Sequence, residues 1–296
     1  MNTNRLRQVG ILQVLASGIC FGVLVLFGKW AFALGLTPGE FLCLRFTVAS
    51  SLLFLWLFTT NRKALRLPLK TILHCAALGI FGYALFSSFF FYALEGLSAS
   101  LTTLLLYTYP VIVSLAAWVF FGEKLSRAAR WALPVVTVGL FLLIAAQFQV
   151  YAFRALLFGF LSAVFYSLYI LASSRVLRNV NPLASTFYIM LGAGLVLSAW
   201  HFRHHTYALL PSAISIVLAT ALIGTLAAMS LFLAGLQKLT SAEVSILSTA
   251  EPVTGVLLAG VFLGERLQPL QWLGAVLILG GMILVGRGKR PEPDLI

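Results

Sequence analysis

Charge is scarce in this chain: Asp, Glu, Lys and Arg make up 9% of its 296 residues, against about 25% in an ordinary soluble domain. With 61% hydrophobic residues, most of the chain cannot face water. Acidic residues are scarcest, eight against twenty Lys and Arg, which leaves a net charge of +12. In a soluble protein that excess would raise nucleic acid as a partner. Here the basic residues occupy short connections between apolar runs, so they act as orientation signals and no nucleic-acid partner is expected. Cysteine is limited to Cys20, Cys43 and Cys75, which lie inside apolar runs and form neither a C-x-x-C pair nor a disulfide framework. They are expected to be small buried thiols. Nucleotide-binding motifs are missing, which argues against transport driven by ATP bound to this chain. H-E-x-x-H, paired aspartates and a Ser/Lys arrangement are missing from the apolar runs, which argues against an intramembrane enzyme. No cofactor and no metal are expected.

What is present is a series of apolar runs, each approaching the ~20 residues that a helix needs to cross a ~30 Å hydrocarbon core. A β-barrel would show ten-residue alternating segments instead. Helices are predicted near 10–33, 40–59, 71–93, 98–121 and 130–147, then near 154–174, 182–200, 212–236, 241–263 and 269–286. The first is too long for a signal peptide and lacks a small-residue cleavage site, so it is expected to stay. The fold class is thus an all-α membrane protein with ten transmembrane helices.

One segment recurs. YTYPVIVSLAAWVFFGEKL, from Tyr107 to Leu125, aligns without a gap on TAEPVTGVLLAGVFLGERL, from Thr249 to Leu267, when 142 is added to each position. Pro110 falls on Pro252, Gly122 on Gly264, Glu123 on Glu265 and Gly139 on Gly281. A period near half the chain means two copies of one large unit, since solenoid repeats recur every ~20–50 residues. The expected division is 1–150 for the first five-helix repeat and 151–296 for the second. Fifteen of the twenty Lys and Arg fall on the side of the N-terminus, which makes both termini cytoplasmic. Five helices per half is odd, so the second copy enters from the opposite side and the repeat is inverted. Such halves can rock about a site near the midplane, which is alternating access.

The Pro…Gly-Glu-Lys/Arg-Leu signature in both halves and Arg45 within the second predicted helix resemble the EamA-type branch of the drug/metabolite transporter superfamily, over nearly the whole chain. The resemblance implies a central cavity lined mainly by the first, third, fourth, sixth, eighth and ninth helices, with the fifth and tenth at the periphery. It also implies export of small metabolites, often amino acids. Substrate identity lies in the cavity residues, which the signature does not specify.

Polar side chains at helical spacing mark the candidate site, because lipid offers them no partner. Thr103, Tyr107, Pro110 and Ser114 form one stripe; Ser162, Tyr166, Tyr169 and Ser173 form a second; Ser241, Ser245, Ser248 and Pro252 form a third; Tyr83 and Ser87 add to them. Of these, Tyr83, Ser87, Thr103, Tyr107, Ser162, Tyr166, Tyr169, Ser245 and Ser248 are the substrate-binding candidates, together with Lys29. The competing expectation is that the hydroxyls bond to backbone carbonyls or bridge helices. Glu251 lies near the midplane, where an unpaired charge costs at least ~2.5–3.5 kcal/mol; it is the candidate for proton coupling, against a structural hydrogen bond. Arg45 is expected to find Glu40 at the start of its helix. Pro110 and Pro252 are expected to bend their helices midway. His201, His204 and His205 have metal-compatible spacing but no carboxylate or cysteine nearby. Gly18/Gly22 and Gly260/Gly264 have close-contact spacing, compatible with packing inside a monomer or with a homodimer.

The leading expectation is a secondary transporter in the cytoplasmic (inner) membrane, exporting amino acids or similar small metabolites, with membrane lipid as its other partner. A lipid or lipid-like metabolite translocase is the alternative. A side portal between helices would favour lipid, and a closed basket a soluble metabolite.

Overall fold

The computed structural model describes residues 3–97, 102, 105–123, 125–144, 153–202, 213–263 and 268–287. Among these, every regular element is helical. α1 (Thr3–Ala33) turns into α2 (Pro38–Thr60) through Gly35, whose φ of 91° lies in the left-handed region that glycine adopts without steric cost. Thr37 starts α2. Its hydroxyl oxygen accepts from the Glu40 N–H, and its own N–H donates to Glu40 Oε2 at 2.7 Å, a capping box that satisfies two orphan donors at once. The expected Glu40–Arg45 pairing is therefore corrected: the Glu40 carboxylate is taken up by its own helix start.

α3 (Leu69–Ala77) and α4 (Leu85–Gly96) form one continuous rod joined by a π-helical stretch, Leu78–Ala84. α5 (Tyr109–Phe121), α6 (Arg127–Ile144), α7 (Phe153–Val176) and α8 (Pro182–Phe202) follow. α9 (Ile214–Ala221) and α10 (Ala228–Leu236) form a second rod, joined by a π-helical stretch at Leu222–Ala227. The repeat places these two π stretches within two residues of each other. α11 (Ser241–Leu247), α12 (Ala250–Leu263) and α13 (Pro269–Arg287) complete the described chain. Among the described residues, seven helical stretches are long and apolar enough to cross a membrane, and Tyr109–Phe121 is a shorter apolar helix. Large apolar side chains cover their outer faces: Phe120 is 77% exposed and Trp131 73%.

Gly122 shows what the glycine of the repeated signature does. Its φ is 62°, and it ends α5 as its N–H donates to Trp118 O and the Glu123 N–H to Ala117 O, each at 3.0 Å. These bonds satisfy carbonyls that the last turn would leave open, and the Gly122–Trp118 bond is the five-to-one bond of a left-handed helix cap. The second copy of the signature, at 264–267, lies outside the described residues.

Lipid is as apolar as leucine, so helices in it associate through close packing more than through the hydrophobic effect. Glycines supply that closeness. A methyl group on Gly139 of α6 would lie 2.8 Å from Gly274 O of α13, and Gly281 of α13 faces Val136 of α6. The two repeat-matched glycines thus serve one interface, the most extensive among the described helices. α2 packs on α8, α1 on α10 and α12, and α7 on α4 and α5.

Candidate transport site

Two helix breaks build the site. The helical residues Leu105 and Leu106 lead into a turn at Tyr107 and Thr108 before α5 starts at Tyr109, and α11 gives way to a turn at Ser248 and Thr249 before α12 starts at Ala250. Pro110 and Pro252 therefore do not bend helices midway. They sit in the first turns of new helices, where a missing N–H leaves no bond unmade. Glu251 falls in the first turn of α12, at the positive end of the helix dipole, which favours a carboxylate. A discontinuous helix whose N-terminus points at the middle of a bundle is a recurring way to build a transport site.

Glu251 is brought close to α1 by two glycines. A methyl group on Gly18 would lie 3.0 Å from Ala250 Cβ, and one on Gly22 would lie 2.8 Å from Glu251 O and 2.6 Å from Thr254 Cβ. The Gly18/Gly22 spacing thus serves contact within the chain. Gly264 and the side-chain surroundings of Gly260 lie outside what is described.

The half-buried Glu251 borders a cavity of about 280 Å³, close to the lower end of the ~300–1,000 Å³ usual for small-molecule pockets. α1 contributes Phe21, Phe32 and Lys29 to its wall, the π stretch and α4 contribute Tyr83, Phe86 and Ser87, and Arg45, Tyr109 and Tyr166 close it. The aromatic wall is continuous. Ring centroids are 4.9 Å apart for Tyr83 and Phe86, 4.6 Å for Phe86 and Tyr166, and 4.7 Å for Tyr109 and Tyr166.

Of the residues selected from sequence, Lys29, Tyr83, Ser87, Tyr166 and Glu251 meet at this cavity. The other described ones do not line it. Ser162 and Ser245 are buried and donate to Gly159 O at 2.6 Å and Ala242 O at 2.9 Å. Ser87 likewise donates to Tyr83 O at 2.7 Å although it lines the wall. Tyr169 is buried against Tyr83, at 5.3 Å between rings. Tyr107 is 4% exposed, its ring centroid 5.6 Å from that of Tyr109, while Ser248 is 5% exposed. Thr103, His204, His205 and Glu265 lie outside the described residues, as does the side chain of His201. Arg45 and Tyr109 were not among the selected residues, yet both border the cavity. The signal for Tyr109 was present: it is the repeat partner of Glu251.

Polar ties close the end of the bundle that carries the N-terminus. Arg7 pairs with Glu243 at 2.8 Å and donates to Val285 O at 2.7 Å. Ser241 donates to Ser174 at 3.1 Å, and Arg175 pairs with Glu123 at 2.9 Å. Burial holds the Glu123 carboxyl above the usual carboxylate range even though Arg175 acts to lower it. Burial also holds the Lys238 ammonium below the ordinary lysine value, beside Gln13 Oε1 at 2.9 Å. On the flank of the bundle, a second and larger recess of about 850 Å³ runs between the start of α2, the π stretch with α4, and the end of α8. Phe91 lines both cavities.

The sequence profile of the EamA-like transporter family matches residues 8–145 and matches again over 153–287. The chain belongs to this family. Among its relatives, the uncharacterized inner membrane transporter YicL of Salmonella typhimurium (strain LT2) is 30% identical over 212 residues, 68% of each chain. The uncharacterized transporter YcbK of Bacillus subtilis (strain 168) is 25% identical over 299 residues, covering 94% of this chain and 92% of its own. A solved crystal structure shares the fold with a TM-score of 0.80 at 21% identity, over 93% of this chain and 95% of that one. The protein is thus a multi-pass membrane transporter of the EamA family, and the cavity beside Glu251 is its candidate transport site.

Proposed function

We propose that the protein is a secondary transporter that exports small zwitterionic metabolites, amino acids foremost, across the cytoplasmic membrane by alternating access. The observation that carries this reading is the placement of Glu251 at a helix break, facing an aromatic cavity that also holds the cations Arg45 and Lys29. Opposite charges on an apolar wall match a ligand with both charges and an apolar side chain. In this reading Lys29, Tyr83, Ser87, Tyr109 and Tyr166 touch substrate, Tyr107, Tyr169 and Ser248 orient that wall, and Glu251 carries the coupled proton. Thr103, Ser162 and Ser245 belong to the supporting stripes.

The topology belongs to the same proposal: ten transmembrane helices as two inverted five-helix repeats, with both termini cytoplasmic. Supporting it are the excess of Lys and Arg on the N-terminal side, the paired helix breaks, the paired π stretches, and packing in which α1 meets α10 and α12 as α7 meets α4 and α5. With the N-terminal end tied shut and the cavity reaching exposed Lys29 at the other end, the conformation is outward-facing.

Counterflow in proteoliposomes against amino acids, nucleosides and sugars tests the substrate class. Amino acids are expected to exchange. Exchange of only nucleosides or sugars would overturn the reading. The flank recess supports a second reading, a lipid or lipid-like metabolite translocase, because Phe91 lines both that recess and the central cavity, the one described residue to do so. Movement of a fluorescent lipid between leaflets, with no amino-acid counterflow, is the result that would favour it.

A further inference from the structure

Arg45 is 3% exposed in the interior of α2. Its Nε donates to Thr225 Oγ1 at 2.8 Å, and its Nη2 donates to the Tyr83 hydroxyl at 3.2 Å and to Gly224 O at 3.4 Å. The guanidinium carbon lies 4.9 Å from the Phe46 ring centroid. Every one of these partners is a neutral dipole or a π face. Among the described residues no carboxylate lies within ion-pair distance of Arg45, and Nη1 makes no hydrogen bond. A guanidinium cannot escape this situation by losing its proton. Arg45 and Glu251 border the same cavity.

The placement of its partners matters as much. Tyr83 belongs to the π stretch Leu78–Ala84, and Gly224 and Thr225 belong to the π stretch Leu222–Ala227. One buried cation therefore fastens the irregular turns of both repeats to α2. π turns recur at functional sites because their surplus residue lets a helix change register at small cost.

We propose that Arg45 is the receptor for the carboxylate of the substrate. This deepens the proposed function and rests on it: Nη1 supplies the unused donors, Glu251 takes the ammonium, and the aromatic rings take the side chain. Because the same guanidinium holds both π stretches, turning it towards a carboxylate weakens its hold on Gly224 and Tyr83. Occupancy is thereby passed to the joint between the halves.

The test uses the full-length protein in proteoliposomes, with counterflow of labelled L-leucine inhibited by leucine, leucinamide or 4-methylpentanoate. Leucinamide keeps the ammonium and side chain but lacks the carboxylate charge. In the wild type it should inhibit at least about tenfold less well than leucine, the loss expected for a hydrogen bond to a charged group. Arg45→Gln should bring that ratio close to one, Arg45→Lys should keep part of it, and Thr225→Val, which removes only the Nε partner, should leave it above tenfold. A purely structural arginine would weaken leucine and leucinamide alike, and an unchanged ratio in Arg45→Gln overturns the proposal. If Arg45→Gln does not fold, an Arg45→Lys ratio equal to the wild type overturns it in the same way. Absence of any amino-acid exchange in the wild type would sink the proposed function itself, whereas exchange with equal inhibition by leucinamide would sink only the role of Arg45. Inhibition by 4-methylpentanoate as strong as by leucine would keep the carboxylate at Arg45 and remove the ammonium from Glu251.

Discussion

The two ends of the bundle are held by different physics. At the N-terminal end, Arg7 and Glu243 are joined at 2.8 Å with Glu243 only 1% exposed, and Gln237 Nε2 donates to Leu177 O and Val180 O, each at 2.6 Å. At the other end, Phe32, Phe41 and Phe91 meet edge to face, with centroids 5.7–6.1 Å apart, and a cavity lies beneath them. Directional charged bonds are either made or broken, so they suit a closure with two states. Aromatic contacts have shallow angular preferences and can readjust around a ligand. Both described ion pairs fall at the tied end.

Breaking the tie should have the largest effect. Glu243→Ala leaves the Arg7 charge, 11% exposed, with only the Val285 and Gly286 carbonyls as partners, a loss of up to about 3 kcal/mol, the low end for buried pairs, and also removes the Thr240 capping box. Melting in detergent should drop steeply. The double variant Arg7→Gln/Glu243→Gln removes both charges and keeps a capping side chain at position 243, so it should recover part of that loss, and failure to recover any would show that the ion pair, not the cap, closes this end.

Next come the glycines that bring α1 against α12. Gly22→Ala sets a methyl group 2.6 Å from Thr254 Cβ and 2.8 Å from Glu251 O, overpacking that costs about 1–3 kcal/mol. Gly28→Ala, whose nearest neighbours are Phe41 atoms at 4.0 Å, should leave melting nearly unchanged. Equal effects from the two would contradict the close α1–α12 contact.

Cavity exposure sharpens the comparison further. In a Cys-less background, cysteines at Phe86 and Tyr166 should react with a water-soluble thiol reagent, and those at Tyr107 and Tyr169 should not. Glu251→Gln should lose the response to an imposed pH gradient altogether, while amino-acid exchange at equal concentrations persists with weakened affinity, since the amide can still accept a hydrogen bond from the ammonium. A wild type indifferent to that gradient would remove the proton role of Glu251 whatever the variant does.

The smallest effect is expected at Glu123. Its folded pKa is raised above the ordinary value by burial, so its contribution to stability is present at low pH and is lost as pH rises through the raised value. Glu123→Gln should remove that slope, visible as a smaller difference in melting between pH 5 and pH 7.5. The net change at neutral pH should stay under about 1 kcal/mol, since its partner Arg175 is 43% exposed. A steeper pH dependence in the variant would reverse the sign argued here.

Much of the architecture could be read from the amino-acid sequence, because the length of an apolar run and the charge between runs are local quantities. Helix ends predicted from them fall within a few residues of α2, α6, α7, α8 and α13. The repeated Pro and Gly-Glu were equally legible, and in its first copy the glycine proves to be a left-handed helix cap. The cavity face was not. Placing Thr103, Tyr107 and Pro110 on one stripe assumes an unbroken helix turning about 100° per residue, but the turn at Tyr107 and Thr108 resets that phase. Tyr109, not Tyr107, therefore reaches the cavity. Arg45 is the other case. Its sequence neighbour Glu40 was the obvious partner, yet Thr225 holds it from 180 residues away. Apolar periodicity records which residues avoid water; which polar group meets which depends on how helices from opposite halves come together, and only the tertiary structure decided that.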